Sequence, residues 1–214
     1  MLFRSECEWE CEGQCGQIMH SIVHMTTVHP RQDIRIRIKE AASLSRHGKM
    51  QVAVFIQDGQ GPEKDESTGV QVVDTGPRPA SRLIRISLGA WRMWRAIRRT
   101  RTDVVHFHDP ELIPVGILLK LSGTKIVYDV HEDVPRQLLE ASWMPTALRR
   151  PGALALGILE QIAGTLFDAI VPATPTIGKR FPVDRTVVVQ NFPILGELIT
   201  ADPTPYSERP RSFA

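Results

Sequence analysis

Residues 103–133 read DVVHFHDPELIPVGILLKLSGTKIVYDVHED. Two short β-type runs, VVHFHD and IVYDVHED, each close on histidine and carboxylate, and the apolar segment between them is long enough for a crossover helix. That is the pattern of a βαβ unit, whose parallel strands deliver their polar ends to the same edge of a sheet. Open α/β folds bind ligands at that edge. Side chains alternate along a strand, so His106 and His108 share one face while Val105 and Phe107 share the other. Asp129 and His131 pair in the same way.

Outward from this unit, strands and helices alternate. IMHSIVHM (18–25) reads as a first strand, followed by a turn at Pro30 and an N-cap at Asp33. The helix predicted from there to His47 puts Ile34, Ile38, Ala41, Ala42 and Leu44 on one apolar face and ends at Gly48. QVAVFIQ (51–57) is a second strand, 58–69 a polar loop and 70–73 a short third strand. A helix over 81–99 spaces Leu83, Leu88, Trp91, Trp94 and Ile97 near the helical period and leaves Arg85, Arg92, Arg95, Arg98 and Arg99 largely for its other side. Strands at 104–108 and 125–129 flank a helix at 112–121. Pro151 suits the first turn of a helix ending near Phe167. A strand at 169–171, a short helix at 175–181 and a seventh strand, TVVVQ (186–190), complete the series. The expectation is an α/β fold with a doubly wound parallel sheet.

Composition narrows the function classes. The chain has 214 residues, 42% of them hydrophobic and 23% charged, with 26 Lys plus Arg against 24 Asp plus Glu. That balance does not point to nucleic acid. No apolar run is long enough to span a bilayer, and no signal peptide is visible at the amino terminus. A cytoplasmic protein is expected, with divalent metal not required. Residues 1–17 read as a disordered extension. Their Cys7, Cys11 and Cys15 are one thiolate short of a closed structural zinc site, and the spacing differs from CxxC pairs. The tail 199–214 reads as a linker. One region is unbalanced: eight arginines and no acidic residue lie between Arg78 and Arg101. A helix with tryptophans beside arginines can lie on an anionic membrane surface, at the inner face of the cell membrane. The simpler reading buries the tryptophans and solvates the cations.

Three uses fit the residues at the strand ends. His106 and His131 can close off strands as satisfied polar groups, with Asp109 capping the helix before Pro110. HxH plus a distant carboxylate can hold zinc or iron for hydrolysis. Imidazoles and carboxylates can also accept hydrogen bonds from sugar hydroxyls, while amides near Thr27 or Asp33 bind phosphate oxygens.

VHMTTVHPRQDIRIRIKEAASLSRHG, DVVHFHDPELIPVGILLKLSG, KIVYDVHEDVP, DAIVPATPTIGKRF and VVVQNFP follow one another along the chain. Together they resemble the amino-terminal domain of family 4 glycosyltransferases of the GT-B fold, over 18–198. The resemblance implies a Rossmann-like half that receives the acceptor, facing a second half that binds a nucleotide-sugar donor. It implies transfer to a glycan or lipid-linked acceptor in polysaccharide biosynthesis, usually with retention of configuration and no tightly bound cofactor. His131 would be the active-site histidine; Asp129, Glu132 and Asp133 would shape its pocket. His106, His108, Asp109 and Glu111 would line the acceptor side, and Thr174 would begin a substrate-contacting loop. Many members carry a Gly-Gly turn after the first strand, where this chain has TTVHPRQD. Thr26, Thr27, His29, Asp33 and Arg35 are therefore the candidates for phosphate contact. The paired glutamates of the donor half have no counterpart in these 214 residues, so the chain alone is expected to be inactive. A sugar-nucleotide epimerase of the same fold, a metal-dependent hydrolase and a non-catalytic sugar-binding half are the alternatives.

Overall fold

The computed structural model describes residues 20–194 and the isolated positions 205 and 208. The readings of 1–17 as an extension, of a first strand beginning at 18, and of 199–214 as a linker fall almost wholly outside the described residues. Strands β1 (His20–Met25), β2 (Met50–Ile56), β3 (Glu63–Lys64), β4 (Gln71–Asp74), β5 (Val104–Phe107), β6 (Lys125–Val130) and β7 (Ala169–Pro172) form one sheet. Their order is β3-β4-β2-β1-β5-β6-β7, and every neighbouring pair is parallel except β3 with β4. After β1 the chain builds one side of the sheet through β2 to β4, then returns to build the other from β5. The strand order reverses at β1, which makes its carboxyl end, with that of β5, the switch point where a ligand fits.

Among the described residues the α-helical segments are α1 over 34–46, α2 over 82–97, α3 over 110–121, α4 (Val134–Glu140), α5 (Thr146–Leu166) and α6 (Pro175–Gly178). On one face, alternating residues Val23, Met25, Phe55, Val105, Phe107, Ile126 and Tyr128 form the main core. Met93 and Ile97 of α2, Ile113 and Leu119 of α3, and Ala163 of α5 close over them. The opposite face is continuously apolar in its β2–β4 half, where Val52, Val54, Ile56 and Val72 meet Ile36, Ala41 and Ala42 of α1. In its β1–β5–β6 half Ile22 is followed, toward the carboxyl ends, by His24, His106 and Asp129, with His24 directly opposite His106 in the register. A polar layer thus lies beneath α1 at the sheet centre.

Four expectations change. Helix α1 opens with a π-helical run, Ile34–Ala41, before the α-helical Ala42–Arg46. The wider turn shifts the phase, so Ile34 and Ile38 are exposed while Arg35, Ile36 and Arg37 are buried. The arginines tolerate burial because each meets carboxylates: Arg35 pairs with Asp129, and Arg37 with Glu63 in β3, a strand inside the supposed polar loop. In α2 the π-helical run Arg85–Gly89 does the same. Ala90, Met93 and Ile97 face the core, whereas Leu83 is 78% and Trp91 48% exposed. The reading that buries both tryptophans is corrected at Trp91. Helix α5 starts at Thr146, after Pro145, because the Leu148 amide already donates to the Pro145 carbonyl (2.8 Å), and Pro151 lies inside it. Finally, 186–190 makes no full strand. Val187 and Val189 donate to Ile170 and Pro172 of β7 (3.0 and 3.1 Å), but a single bridge forms and the valines are exposed.

Candidate active site

The carboxyl ends of β1, β5 and β6 converge on one hydrogen-bonded cluster. Asp129, fully buried on β6, is its hub. The Arg35 guanidinium donates to both carboxylate oxygens (2.9 and 2.8 Å), while His108 Nδ1 (3.2 Å) and His131 Nε2 (3.0 Å) face Oδ2. Burial opposes ionisation of Asp129. The hydrogen bonds from His108, His131 and Arg35 overcome it and hold the carboxyl well below its usual range. An ionised Asp129 assigns the tautomers: His108 Nδ1 and His131 Nε2 carry the hydrogens. His108 Nε2 then accepts from His24 Nδ1 (3.0 Å), so the chain of rings runs back into the polar layer under α1. Burial pushes the histidines of that layer down, His106 to about 3, so they are neutral imidazoles. Burial, reinforced by the charge of Asp129, pushes Glu40 of α1 up to about 9.

A second cluster ties β1 to the start of α3. Asp109 Oδ2 accepts from Thr26 Oγ1 (2.8 Å) and the Thr27 amide (2.6 Å), with Thr27 Oγ1 3.2 Å away. The Val28 amide lies 3.3 Å away. Glu111 accepts from Thr27 Oγ1 and takes a two-pronged Arg85 guanidinium (2.7 and 3.0 Å). These donors are what a phosphate would use at a strand-to-helix turn, and here the carboxylate of Asp109 already occupies them.

A cavity of about 650 Å³ opens beside both clusters. His29, His108, Asp109, Glu111, His131 and Glu132 line it together with Leu138, Trp143, Met144, Leu156 and Leu159 of α4, α5 and the connection between them. The expected residues therefore divide. Those six reach the cavity. His106 and Asp129 lie behind it, in the polar layer. Asp133 caps α4 through the Arg136 amide and holds Arg180, and Thr174 caps α6 through the Ile177 amide; neither lines the cavity. Of the phosphate candidates, Thr26 and Thr27 are buried against Asp109, Arg35 is spent on Asp129, and Asp33 caps α1 while holding His29 (3.0 Å). Of the five, only His29 lines the cavity, and the polar groups of the other four are engaged within the protein.

Sequence reasoning missed His24, Glu40 and Arg85 as members of these clusters. His24 carried a signal, being a histidine at an inward position of an apolar strand. Glu40 and Arg85 carried none, because each is turned inward by a π-helical run.

The fold matches known sugar-transfer and sugar-nucleotide proteins. Sucrose-phosphate synthase from Thermosynechococcus elongatus superposes with a TM-score of 0.61 at 12% identity, over 80% of this chain and 48% of its own. A UGT transferase from Siraitia grosvenorii in complex with UDP gives 0.52 at 10% identity, over 79% and 50%. The catalytic domain of Starch Synthase IV from Arabidopsis thaliana bound to ADP and acarbose gives 0.51 at 10%, over 81% and 51%. At such identities the likeness is one of fold, that of one half of the GT-B glycosyltransferases, and the chain spans about half the length of these structures. No curated protein sequence matches it. The family description Glycosyltransferase Family 4 matches residues 39–191, well over half of the sequence and including β5, β6, His108 and His131, so this chain belongs to Glycosyltransferase Family 4.

Proposed function

We propose that this chain is the acceptor-side half of a glycosyltransferase that takes a sugar from a nucleotide-sugar donor and places it on an acceptor with an apolar body, a lipid-linked glycan being the natural class. One observation carries the reading: beside His29, His108, Asp109, Glu111, His131 and Glu132 the same cavity is lined by Val130, Val134, Leu138, Trp143, Met144, Leu156 and Leu159. Sugar hydroxyls fit the first group, and a hydrocarbon chain or ring system the second. A series of alkyl glucosides tests it by calorimetric titration of the 214-residue chain. Affinity should rise about fourfold per added methylene, from about 0.8 kcal/mol of burial each, and Leu138→Glu should abolish the gain. Equal affinity for glucose and octyl glucoside would refute the apolar acceptor.

Within this reading His131 is the residue at the chemistry. Its Nε2 hydrogen bond to Asp129 leaves Nδ1 as an acceptor, able to take a hydroxyl proton as a general base. That observation favours a second reading of the stereochemistry, direct displacement with inversion, over the retention that the family resemblance implies. The anomeric configuration of the product by proton NMR decides between them. Turnover also requires donors that stabilise the leaving diphosphate, which we assign to a second Rossmann-like half. Nucleotide-sugar turnover by the purified 214-residue chain would refute that assignment.

The exposed Leu83, Ile86 and Trp91, flanked by Arg92, Arg95 and Arg98, support peripheral contact with an anionic bilayer, which would bring a lipid-linked acceptor to the cavity mouth. Arg82 stacks on Trp143 (3.8 Å) at that mouth.

A further inference from the structure

The polar layer under α1 leaves several buried polar atoms unpaired. His24 Nε2, His106 Nε2 and both carboxylate oxygens of Glu40 are buried and have no hydrogen-bond partner. Arg35 comes within 3.0 Å of Glu40 Oε1 through Nε, but its single Nε hydrogen is directed at Asp129 Oδ2. One guanidinium thus faces two carboxylates, Asp129 and Glu40, across a layer closed to solvent. One donor atom from each of His24, Glu40, His106 and His108 lies within 4.8 Å of the others. Three elements bring them together: adjacent β1 and β5, in register at His24 and His106, and the π-helical run of α1, which turns Glu40 inward.

We propose that this layer is a buried binding site for a divalent transition metal, with His24, His106 and Glu40 as its ligands. Two imidazoles and a carboxylate suit zinc, iron(II) or manganese(II) rather than magnesium or calcium, which prefer all-oxygen sites. The surroundings supply what such ligands need. His24 Nδ1 stands 3.9 Å from Glu40 Oε2 and 3.0 Å from His108 Nε2, and His108 is bonded in turn to Asp129 through Nδ1; an outer partner of this kind fixes a ring and its tautomer. Ligands at about 2.0–2.2 Å from a metal stand roughly 3.4 Å apart, so donors that lie within 4.8 Å of one another close by at most about 1.4 Å on binding. The ion would neutralise Glu40 and brace β1 and β5 against α1. His131 is connected to it only through His108, so the metal's place is beneath the cavity floor, and its role is to position the His108–Asp129–His131 array. This inference does not depend on the transfer reaction.

The test is metal content and thermal stability of the full chain, with Cys7, Cys11 and Cys15 changed to serine so that the amino-terminal thiols cannot bind. Purified after growth with zinc, the protein should retain about one metal per chain through desalting. Chelator treatment should lower Tm, and added Zn2+ should restore it. Cobalt substitution should give visible d–d absorption that is absent from Glu40→Gln and from His106→Gln. Circular dichroism establishes that each variant is folded. Because either variant can fail to fold, the chelator arm on the unsubstituted layer stands on its own. No retained metal, together with no Tm response to Zn2+, Co2+, Mn2+ or Fe2+, would overturn the proposal and leave a proton on Glu40 as the compensation. Undiminished binding in folded Glu40→Gln and His106→Gln would overturn it by placing the metal elsewhere.

Discussion

At the scale of single residues, the site is organised by one buried anion. Asp129 orders Arg35, His108 and His131 at once, and removing one partner of a buried pair costs more than the pair contributes, because the other charge is left uncompensated. Asp129→Asn should therefore lower unfolding free energy by about 3–5 kcal/mol in urea titration; a loss under about 1 kcal/mol would mean that Arg35 finds another partner. Asp33 gives a pH signature. Burial opposes its ionisation, but the His29 hydrogen bond and the Ile36 amide hold the carboxyl at about 2, below its ordinary 3.8. A depressed carboxyl stabilises the fold above its unfolded value, and that contribution fades as pH falls toward the folded value. Asn can still cap α1, so Asp33→Asn isolates the charge. The Tm gap between wild type and this variant should be fully open near about pH 5 and narrow toward about pH 2. A constant gap would assign the effect to capping alone.

At the scale of elements, close approach and helix phase determine the packing. Gly116 lets α3 lie directly on the core, where an added Cβ would stand 2.9 Å from Phe107 and 3.0 Å from Phe167. Alanine favours helix by about 1 kcal/mol over glycine, yet overpacking of this kind costs about 1–3 kcal/mol. Gly116→Ala should thus be neutral to destabilising by as much as about 2 kcal/mol in denaturant titration; a clear stabilisation would show that the aromatic rings yield freely. The two π-helical runs carry the larger lesson. In α1 and α2 the apolar residues fit an α-helical stripe in the sequence, but the wider turns bury Arg35, Arg37 and Gly89 and expose Ile34, Leu83 and Trp91. Helical periodicity cannot reveal a local change of period that tertiary ion pairs compensate.

At the scale of the whole molecule, the sheet order places the cavity, and α2 and α5 frame its mouth with apolar and cationic side chains. No helix among the described residues is long and apolar enough to cross a membrane, so association with a bilayer would rest on that surface. Changing Arg92, Arg95 and Arg98 to glutamine should reduce co-sedimentation with vesicles of phosphatidylcholine and phosphatidylglycerol at least about tenfold, since each cation near an anionic surface contributes about 1 kcal/mol. Tm should change little, because the long contacts of Arg95 over Trp91 (5.3 Å) and Arg98 over Trp94 (5.1 Å) contribute at most about 0.5–1 kcal/mol each at an exposed surface. Unchanged vesicle binding would return α2 to the reading of a solvated cationic face.

The sequence by itself determined the alternation of strands and helices, the parallel sheet, the side of β5 and β6 on which His106, His108, Asp129 and His131 lie, and the family. These are local properties, carried by side-chain alternation and by motifs within a few residues. Only the tertiary structure decided which residues meet. The pairs that build the site are far apart in the chain: Arg35 and Asp129 by 94 residues, His24 and His108 by 84. Their meeting depends on β1 standing between β2 and β5, and on π turns that no local pattern encodes. Tertiary packing also divided the predicted residues between an open cavity and the buried layer behind it, because the same strand face that carries His131 to the edge carries His24, His106 and Asp129 beneath α1.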